Sequence, residues 1–338
     1  MSYGVTLDRI TVLGGGSFGI ALAVHLAEKH KHVALWETNQ ARAEACAKHR
    51  EDPQLLPGVR LRESIAIGSD IGAALSGTQA IVIAVPSAAV REVTTLVRQR
   101  ITGKLPLVIC AAKGIELDTL ALMSDVCEAT LGAKEEIAYL SGPSFALEVA
   151  QGLPTSVVMA AHSEEIATHA QNVVSMPSFR GYSSTDVIGV EIAGALKNVL
   201  AIAAGAVDGM GLGMNARAAM ITRGLNEISR LGQKLGANPL TFLGLAGVGD
   251  LVLTCTGELS RNRRVGIALG KGHTLKQALA EVKTVAEGVG TAKAAHALAQ
   301  KHGVEVPIIE AVYQVAHQGL PVTEALRALM SRTLKAEW

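Results

Sequence analysis

Along the first half of the chain, short runs of apolar residues alternate with longer stretches whose apolar positions recur at helical spacing. Ile10-Thr-Val-Leu13, Val33-Ala-Leu-Trp36, Ile81-Val-Ile-Ala-Val85 and Leu107-Val-Ile-Cys-Ala-Ala112 have the length and continuity of strands buried on both faces. Between them, Ile20–Glu28, Gln40–Arg50, Ser87–Gln99 and Leu117–Leu131 read as helices, with Pro53 and Pro57 marking a loop. A further strand follows at Ile137–Leu140, and then an additional strand pair, Thr155–Ala160 and Phe179–Ser183, around a helix at Glu164–Val174. Strand, helix, strand at this spacing predicts an α/β, doubly wound parallel sheet with right-handed crossovers. After Ser183-Ser-Thr-Asp186 the strand-like runs cease. Helices are predicted at Asp186–Val207, Asn215–Leu235, Arg264–Leu269, Leu275–Val282, Gly290–Lys301, Ile308–Gln318 and Thr323–Met330. The expectation is two domains, residues 1–185 and an all-helical 186–338, tightly packed with a cleft between them, as suits a chain of 338 residues.

The chemistry starts at the first strand. Its apolar run ends in Gly14-x-Gly16-x-x-Gly19 and enters an alanine- and leucine-rich helix. In a Rossmann turn the first glycine permits the bend and the second admits a pyrophosphate to the backbone. The third lets helix and strand pack closely, and the helix N-terminus stabilises phosphate charge. A bare structural turn can carry the same glycines, but strand and helix stand on both sides here, as the motif requires. Glu37 closes the second strand 24 residues beyond Leu13, where the ribose-binding acid of such folds is expected. The turns after the parallel strands share the ligand edge, which sets Lys113 and Ser141-Gly-Pro-Ser144 beside the nucleotide.

Composition narrows the class. Hydrophobic residues make up 49% and charged residues 18%, with a formal net charge of +1, so neither disorder nor bulk attraction to nucleic acid or membrane is indicated. The four cysteines (Cys46, Cys110, Cys127, Cys255) are far apart and read as buried reduced thiols, and the ten histidines show no metal spacing. No signal peptide or membrane span is expected, and the chain reads as soluble and cytoplasmic. Ser144 lacks a G-x-S-x-G elbow, which argues against a serine hydrolase.

Four features outside the glycine turn invite two readings each. Lys197, in Ile192-Ala-Gly-Ala-Leu-Lys-Asn198, is either a functional ammonium approached through small neighbours or a lysine snorkelling from a packed helix. Lys113 is an anion-binding or carbonyl-polarising group, or a solvated loop lysine. Ser260-Arg-Asn-Arg-Arg264, the one dense basic cluster, suits phosphate but equally a solvated face. Asp250, after Gly247-Val-Gly, reads as a helix cap in preference to a site carboxylate.

Taken together, the motifs resemble those of the NAD(P)-dependent glycerol-3-phosphate dehydrogenases, the bacterial form especially. The resemblance runs from about Arg9 to Leu329. It rests on residues 14–19, Ala-Ala-Lys-Gly-Ile-Glu (111–116), Ser-Gly-Pro-Ser-Phe-Ala (141–146), Gly-Ala-Leu-Lys-Asn-Val (194–199), Asn-Ala-Arg (215–217) and Ile-Thr-Arg-Gly (221–224). Gly-Val-Gly-Asp-Leu-Val-Leu-Thr-Cys-Thr (247–256), residues 260–264 and Ala-Glu-Gly (286–288) complete it. It implies reversible hydride transfer between NAD(P)H and dihydroxyacetone phosphate, giving sn-glycerol 3-phosphate for phospholipid synthesis, in a cytoplasmic homodimer without metal. It implies Lys197 as proton donor and acceptor, with Lys113 as catalytic partner and as the cation that tunes it. Lys113, Gly142, Ser144, Lys197, Asp250, Ser260, Arg261 and Asn262 would then surround the small phosphorylated three-carbon substrate. Gly14, Gly16, Ser17, Phe18, Gly19, Glu37, Lys113, Ala146, Arg261, Val285 and Glu287 would hold the nucleotide.

One place departs from the bacterial pattern. Relatives there often carry an arginine or histidine after the tryptophan of the second strand, whereas this chain has Glu37-Thr38-Asn39. NADP is usual for that family; Glu37 makes NAD credible, with Arg42 one turn later able to compensate. Two other classes share parts of the pattern. A dehydrogenase of 6-phosphogluconate or hydroxyisobutyrate type would keep the Rossmann half and a helical lysine. A nucleotide sensor would keep only the glycine turn.

Overall fold

In the computed structural model, which describes residues 4–282, 285–334 and 336–337, the apolar run Arg9–Leu13 forms β1 and the glycine turn leads straight into helix α1, Ser17–Leu26. The alternation continues through β2 (His32–Trp36), α2 (Gln40–His49), β3 (Ile65–Gly68), α3 (Ile71–Leu75), β4 (Ala80–Ile83), α4 (Val90–Arg100) and β5 (Leu107–Cys110). Then come α5 (Met123–Leu131), β6 (Ile137–Ser141), α6 (Ala146–Ala150), β7 (Thr155–Ala161), α7 (Glu164–Val174) and β8 (Phe179–Ser184). The strands form one eight-stranded sheet in the order β3-β2-β1-β4-β5-β6-β7-β8. The order reverses between β1 and β4, the switch point beside which such sheets bind ligands.

The expected Rossmann α/β sheet is present, with three differences. First, β7 pairs with β6 antiparallel, and β8 then runs parallel to β7. The only helix between β6 and β7 has five residues and spans about 7.5 Å, less than half the length of a five-residue strand. It cannot carry the chain back to the starting edge, so the next strand runs the other way. Second, β3, α3 and α6 had no signal of their own in the sequence. β3 is an edge strand of four residues in which Ile65 is the buried one. Third, Leu117–Leu131 is helical only from Met123. Leu120 takes a positive φ of 59°, and Ile115 and Leu122 form an antiparallel bridge, closed by the Glu116 amide donating to the Ala121 carbonyl at 2.9 Å.

Beyond β8 the described residues are helical: α8 (Val187–Gly209), α9 (Gly213–Lys234), α10 (Asp250–Thr256), α11 (Arg261–Gly270), α12 (Leu275–Val282), α13 (Glu287–His302), α14 (Pro307–Gln318) and α15 (Val322–Met330). A 3-10 turn at Pro239–Leu243 and a wide turn at Leu245–Gly249 precede α10. By contact density the chain divides into two units. One takes residues up to Glu116 together with Ala121–Glu191, the other Leu117–Leu120 with Ile192 onward, so the boundary falls inside α8. Among the described residues α8 is the one helix long and apolar enough to cross a membrane, and 83% of its most apolar window is buried. Its hydrophobicity is therefore used in packing. All four cysteines are buried and unpaired.

Candidate active site

The first unit holds the glycine turn. Gly14 has φ +119°, and a Cβ there would lie 2.7 Å from the Ala84 carbonyl of the turn after β4. Gly16 is the N-cap of α1; a Cβ on it would meet nothing within 4 Å, which leaves space above the backbone. A Cβ on Gly19 would overlap the Gly14 carbonyl, so helix and strand approach as closely as the motif demands. No side chain caps α1 and no acid stands in its first turn, so the helix dipole favours an anion there. Open backbone at Gly16, an unopposed dipole and tight packing at Gly19 fit the pyrophosphate of a dinucleotide. Ser17 ties this end to the next loop, donating its hydroxyl to the Leu55 carbonyl at 2.9 Å, and Phe18 packs on the sheet core.

On the same edge, Lys113 Nζ donates to the Gly142 carbonyl at 3.2 Å, and the Ser144 hydroxyl donates to that oxygen at 3.0 Å. Gly142 has φ +122° and lies against Val157, so no other residue suits the turn. Ala146, opening α6, packs half-buried against the core. The hydroxyls of Tyr139 and Ser141 on β6 are buried without a hydrogen-bond partner.

Glu37 stands at the end of β2, 8% exposed. One carboxylate oxygen accepts the Asn39 amide at 2.9 Å and the other meets Arg42 Nη2 at 2.8 Å. The sequence left Arg42 available to a 2′-phosphate. The structure instead ties its guanidinium to Glu37, to Asp52 (3.3 Å) and to the Gly15 carbonyl. Asp52 carried no signal in the sequence, because an acid in a loop looks the same whether or not it has a partner.

In the second unit, Lys197 is buried in α8 at 8% exposure and donates to the carboxylate of Asp250, which is fully buried. Asp250 is thus the partner of Lys197, not the helix cap that the preceding glycines suggested: it is the first residue of α10, one past the N-cap position at Gly249. Gly247 makes the approach possible, since a Cβ there would overlap the Phe242 backbone. The carboxylate that the structure sets against Lys197 stabilises its ammonium. Thr254 donates to the Asp250 carbonyl at 2.6 Å. Burial pushes the Cys255 thiol up to about 12 against the lowering pull of Lys197, so it stays protonated.

The basic cluster separates by role. Ser260 caps α11, accepting the Arg263 amide at 3.3 Å. Asn262, buried, donates to Asn198 at 2.9 Å and accepts the Gly288 amide at 3.0 Å, which ties α11 to α8 and α13. Both are assigned to substrate by resemblance; in the structure the Ser260 hydroxyl caps its own helix and the Asn262 side chain joins three helices. Arg263 forms a fork on Asp208 (2.9 and 2.7 Å), which also takes Arg217 at 3.1 Å. Arg261 remains half-buried, reaching the carbonyl of exposed Val285 at 3.4 Å, and Glu287 opens α13. Among the described residues no group of three or more His, Cys, Asp or Glu comes together to hold a metal ion.

Sequence profiles of the family described as NAD-dependent glycerol-3-phosphate dehydrogenase match the chain twice, the N-terminal part over residues 9–167 and the C-terminal part over 186–327. The chain belongs to this family. It is 48% identical over 338 residues to the glycerol-3-phosphate dehydrogenase [NAD(P)+] of Geobacter sp. (strain M21), covering 98% of this chain and 99% of that one. The protein of the same description from Myxococcus xanthus (strain DK1622) is 49% identical over 331 residues, 97% and 98% of the two chains. Among solved structures, glycerol-3-phosphate dehydrogenase from Coxiella burnetii superposes with a TM-score of 0.92 at 39% identity, over 98% of this chain and all of that one. Family members are oxidoreductases acting on a CH–OH group with NAD(P), in keeping with the glycine turn.

Proposed function

We propose that the chain interconverts dihydroxyacetone phosphate and sn-glycerol 3-phosphate with NAD(P), and that Lys197 carries the proton. The observation that supports this most is the Lys197 ammonium held against buried Asp250 within a largely apolar stretch of α8. The bound dinucleotide supplies the hydride, or accepts it in the reverse direction. As the carbonyl becomes an alkoxide, Lys197 donates a proton to that oxygen, so one C=O π bond is replaced by one C–H and one O–H bond. Asp250 orients the ammonium and stabilises its charge. Lys113 favours a developing negative oxygen, and Gly142 and Ser144 shape the turn that positions its ammonium. Arg261 takes the substrate phosphate, for which its planar fork is suited. The product is the backbone of glycerophospholipids, and we assign the enzyme to their synthesis in the cytoplasm, as a homodimer that sedimentation would test.

The experiment is a steady-state assay of dihydroxyacetone phosphate with NADH and with NADPH. Reduction is expected with at least one of them, while 6-phosphogluconate and 3-hydroxyisobutyrate should give no turnover in the oxidative direction. Absence of any substrate-dependent hydride transfer would leave the sensor reading in its place. Replacing Arg261 with alanine should weaken dihydroxyacetone phosphate by about 1.5–3 kcal/mol, the scale of one charged hydrogen-bond set, and unphosphorylated dihydroxyacetone much less. Equal losses on both substrates would take Arg261 away from the phosphate.

A further inference from the structure

Beside the glycine turn lie three charged side chains that the proton and hydride chemistry does not use. Arg42 sits on α2 with its side chain 39% exposed, and its guanidinium is shared between Glu37 and Asp52, whose side chains are 10% and 8% exposed. The same guanidinium donates to the Gly15 carbonyl within the glycine turn. A Cβ on Gly15 would overlap the Glu37 carboxylate, so Glu37 lies directly on the turn. Asp52 is held rigidly. Its Oδ1 accepts the amides of Gln54 and Leu55 at 3.1 and 3.0 Å, and Leu55 is tied in turn to Ser17 at the start of α1. One cation against two carboxylates leaves this locus one negative charge.

We propose that Asp52, acting with Glu37, sets the choice between dinucleotides by sequestering Arg42. The inference rests on the dinucleotide reading given under Proposed function. In folds of this order the adenosine ribose lies at the end of the second strand, where Glu37 stands. A ribose 2′-hydroxyl can donate to Glu37, whereas a 2′-phosphate meets net negative charge. Arg42, whose planar fork would otherwise suit a phosphate, has its Nε and Nη2 directed at two carboxylates and a carbonyl. Glu37 is the contact residue. Asp52 is a positioning residue that acts through Arg42, and the expected outcome is a preference for NAD.

The test is binding of 5′-AMP, 2′,5′-ADP, NADH and NADPH, measured calorimetrically on wild type, Asp52→Asn, Glu37→Gln, the double variant, and the double variant carrying Arg42→Ala. Asparagine at 52 keeps the oxygen that accepts the Gln54 and Leu55 amides, so the loop should persist. Wild type should favour 5′-AMP over 2′,5′-ADP. Asp52→Asn alone should shift that ratio toward 2′,5′-ADP. The double variant should shift it by about tenfold or more, the order of one charge-assisted hydrogen bond gained. Adding Arg42→Ala should cancel the gain. A purely structural role for Asp52 would weaken all four ligands together with the ratio unmoved, and that result overturns the proposal. So does a shift that survives removal of Arg42, or a wild type that prefers 2′,5′-ADP. If neither dinucleotide binds any of the proteins, the dinucleotide reading itself fails.

Discussion

Lys197 and Asp250 are a buried ion pair, and such pairs cost far more to break than to replace with apolar groups. Substituting Lys197 by alanine should therefore do two separable things. Turnover should fall at least about 100-fold, the low end for loss of a positioned acid/base. Stability should fall by about 3–5 kcal/mol as Asp250 is left uncompensated. Lys197→Met combined with Asp250→Leu removes both charges and should recover much of the stability, measured by urea unfolding, while turnover stays low. If the double variant recovered turnover as well, Lys197 would be structural. The lysine was legible in the sequence, because an ammonium inside an apolar helix is out of place. Its partner was not, because 53 positions separate the two residues.

At the level of the element, α8 and α11 pack backbone to backbone through two reciprocal glycine pairs. A Cβ on Gly205 or Gly209 would overlap the carbonyls of Arg263 or Ile267, and one on Gly266 or Gly270 those of Ile202 or Ala206. This approach brings Arg263 onto Asp208 and Asn262 onto Asn198. Gly266→Ala should destabilise by about 1–3 kcal/mol through overpacking, although alanine is the better helix former. Gly290, inside α13 with open space where a Cβ would point, should show the opposite sign, gaining about 0.5–1 kcal/mol as alanine. Thermal unfolding of the two variants checks both signs. Two helix starts are also set from a distance. Glu191 accepts the Ser124 amide of α5 at 2.9 Å, and Glu227 accepts the Ile308 and Ile309 amides of α14 at 2.8 and 3.2 Å. The sequence began α5 at Leu117 because Glu191, which accepts the Ser124 amide at its true start, lies far outside the segment's own pattern.

For the molecule as a whole, these same glutamates determine how stability varies with pH. Burial pushes Glu191 up to about 8 and Glu227 up to about 7, from an ordinary 4.5. Each binds its proton more tightly folded than unfolded, so its contribution is complete below pH 4.5 and is lost as pH rises through the folded value. His25 acts in the opposite sense. Burial lowers it from 6.5 to about 4, and its contribution, full above pH 6.5, is lost as pH falls. Below pH 6.5 the glutamates are opposed by His25 and by His30, which burial also lowers, whereas from there to pH 8 the glutamate contribution continues to be lost. Stability should therefore fall by about 2 kcal/mol between pH 6.5 and 8, at roughly 1.4 kcal/mol per unit for each titrating group. Glu191→Gln with Glu227→Gln should flatten that decline in melting temperature. A wild type equally stable across the interval would contradict it.

What depended on neighbours along the chain was settled by the sequence alone. The strand, glycine turn and helix at Arg9–Leu26, the buried runs of β4 and β5, and the long helices α8 and α9 all follow from period, propensity and turn chemistry acting within about twenty residues. What depended on length limits or on distant groups was decided by the tertiary structure. A helix too short to span the sheet reversed β7, and a lone buried Ile65 sufficed for β3 at the sheet edge. The charges followed the same division. Residue type shows that Glu37, Arg42, Asp52, Lys197 and Asp250 are ionisable, but a charge in sequence has no partner until folding removes water and brings one within hydrogen-bond distance. That step turned Arg42 from a possible phosphate ligand into a tied group, and Asp250 from a cap into the counter-charge of Lys197.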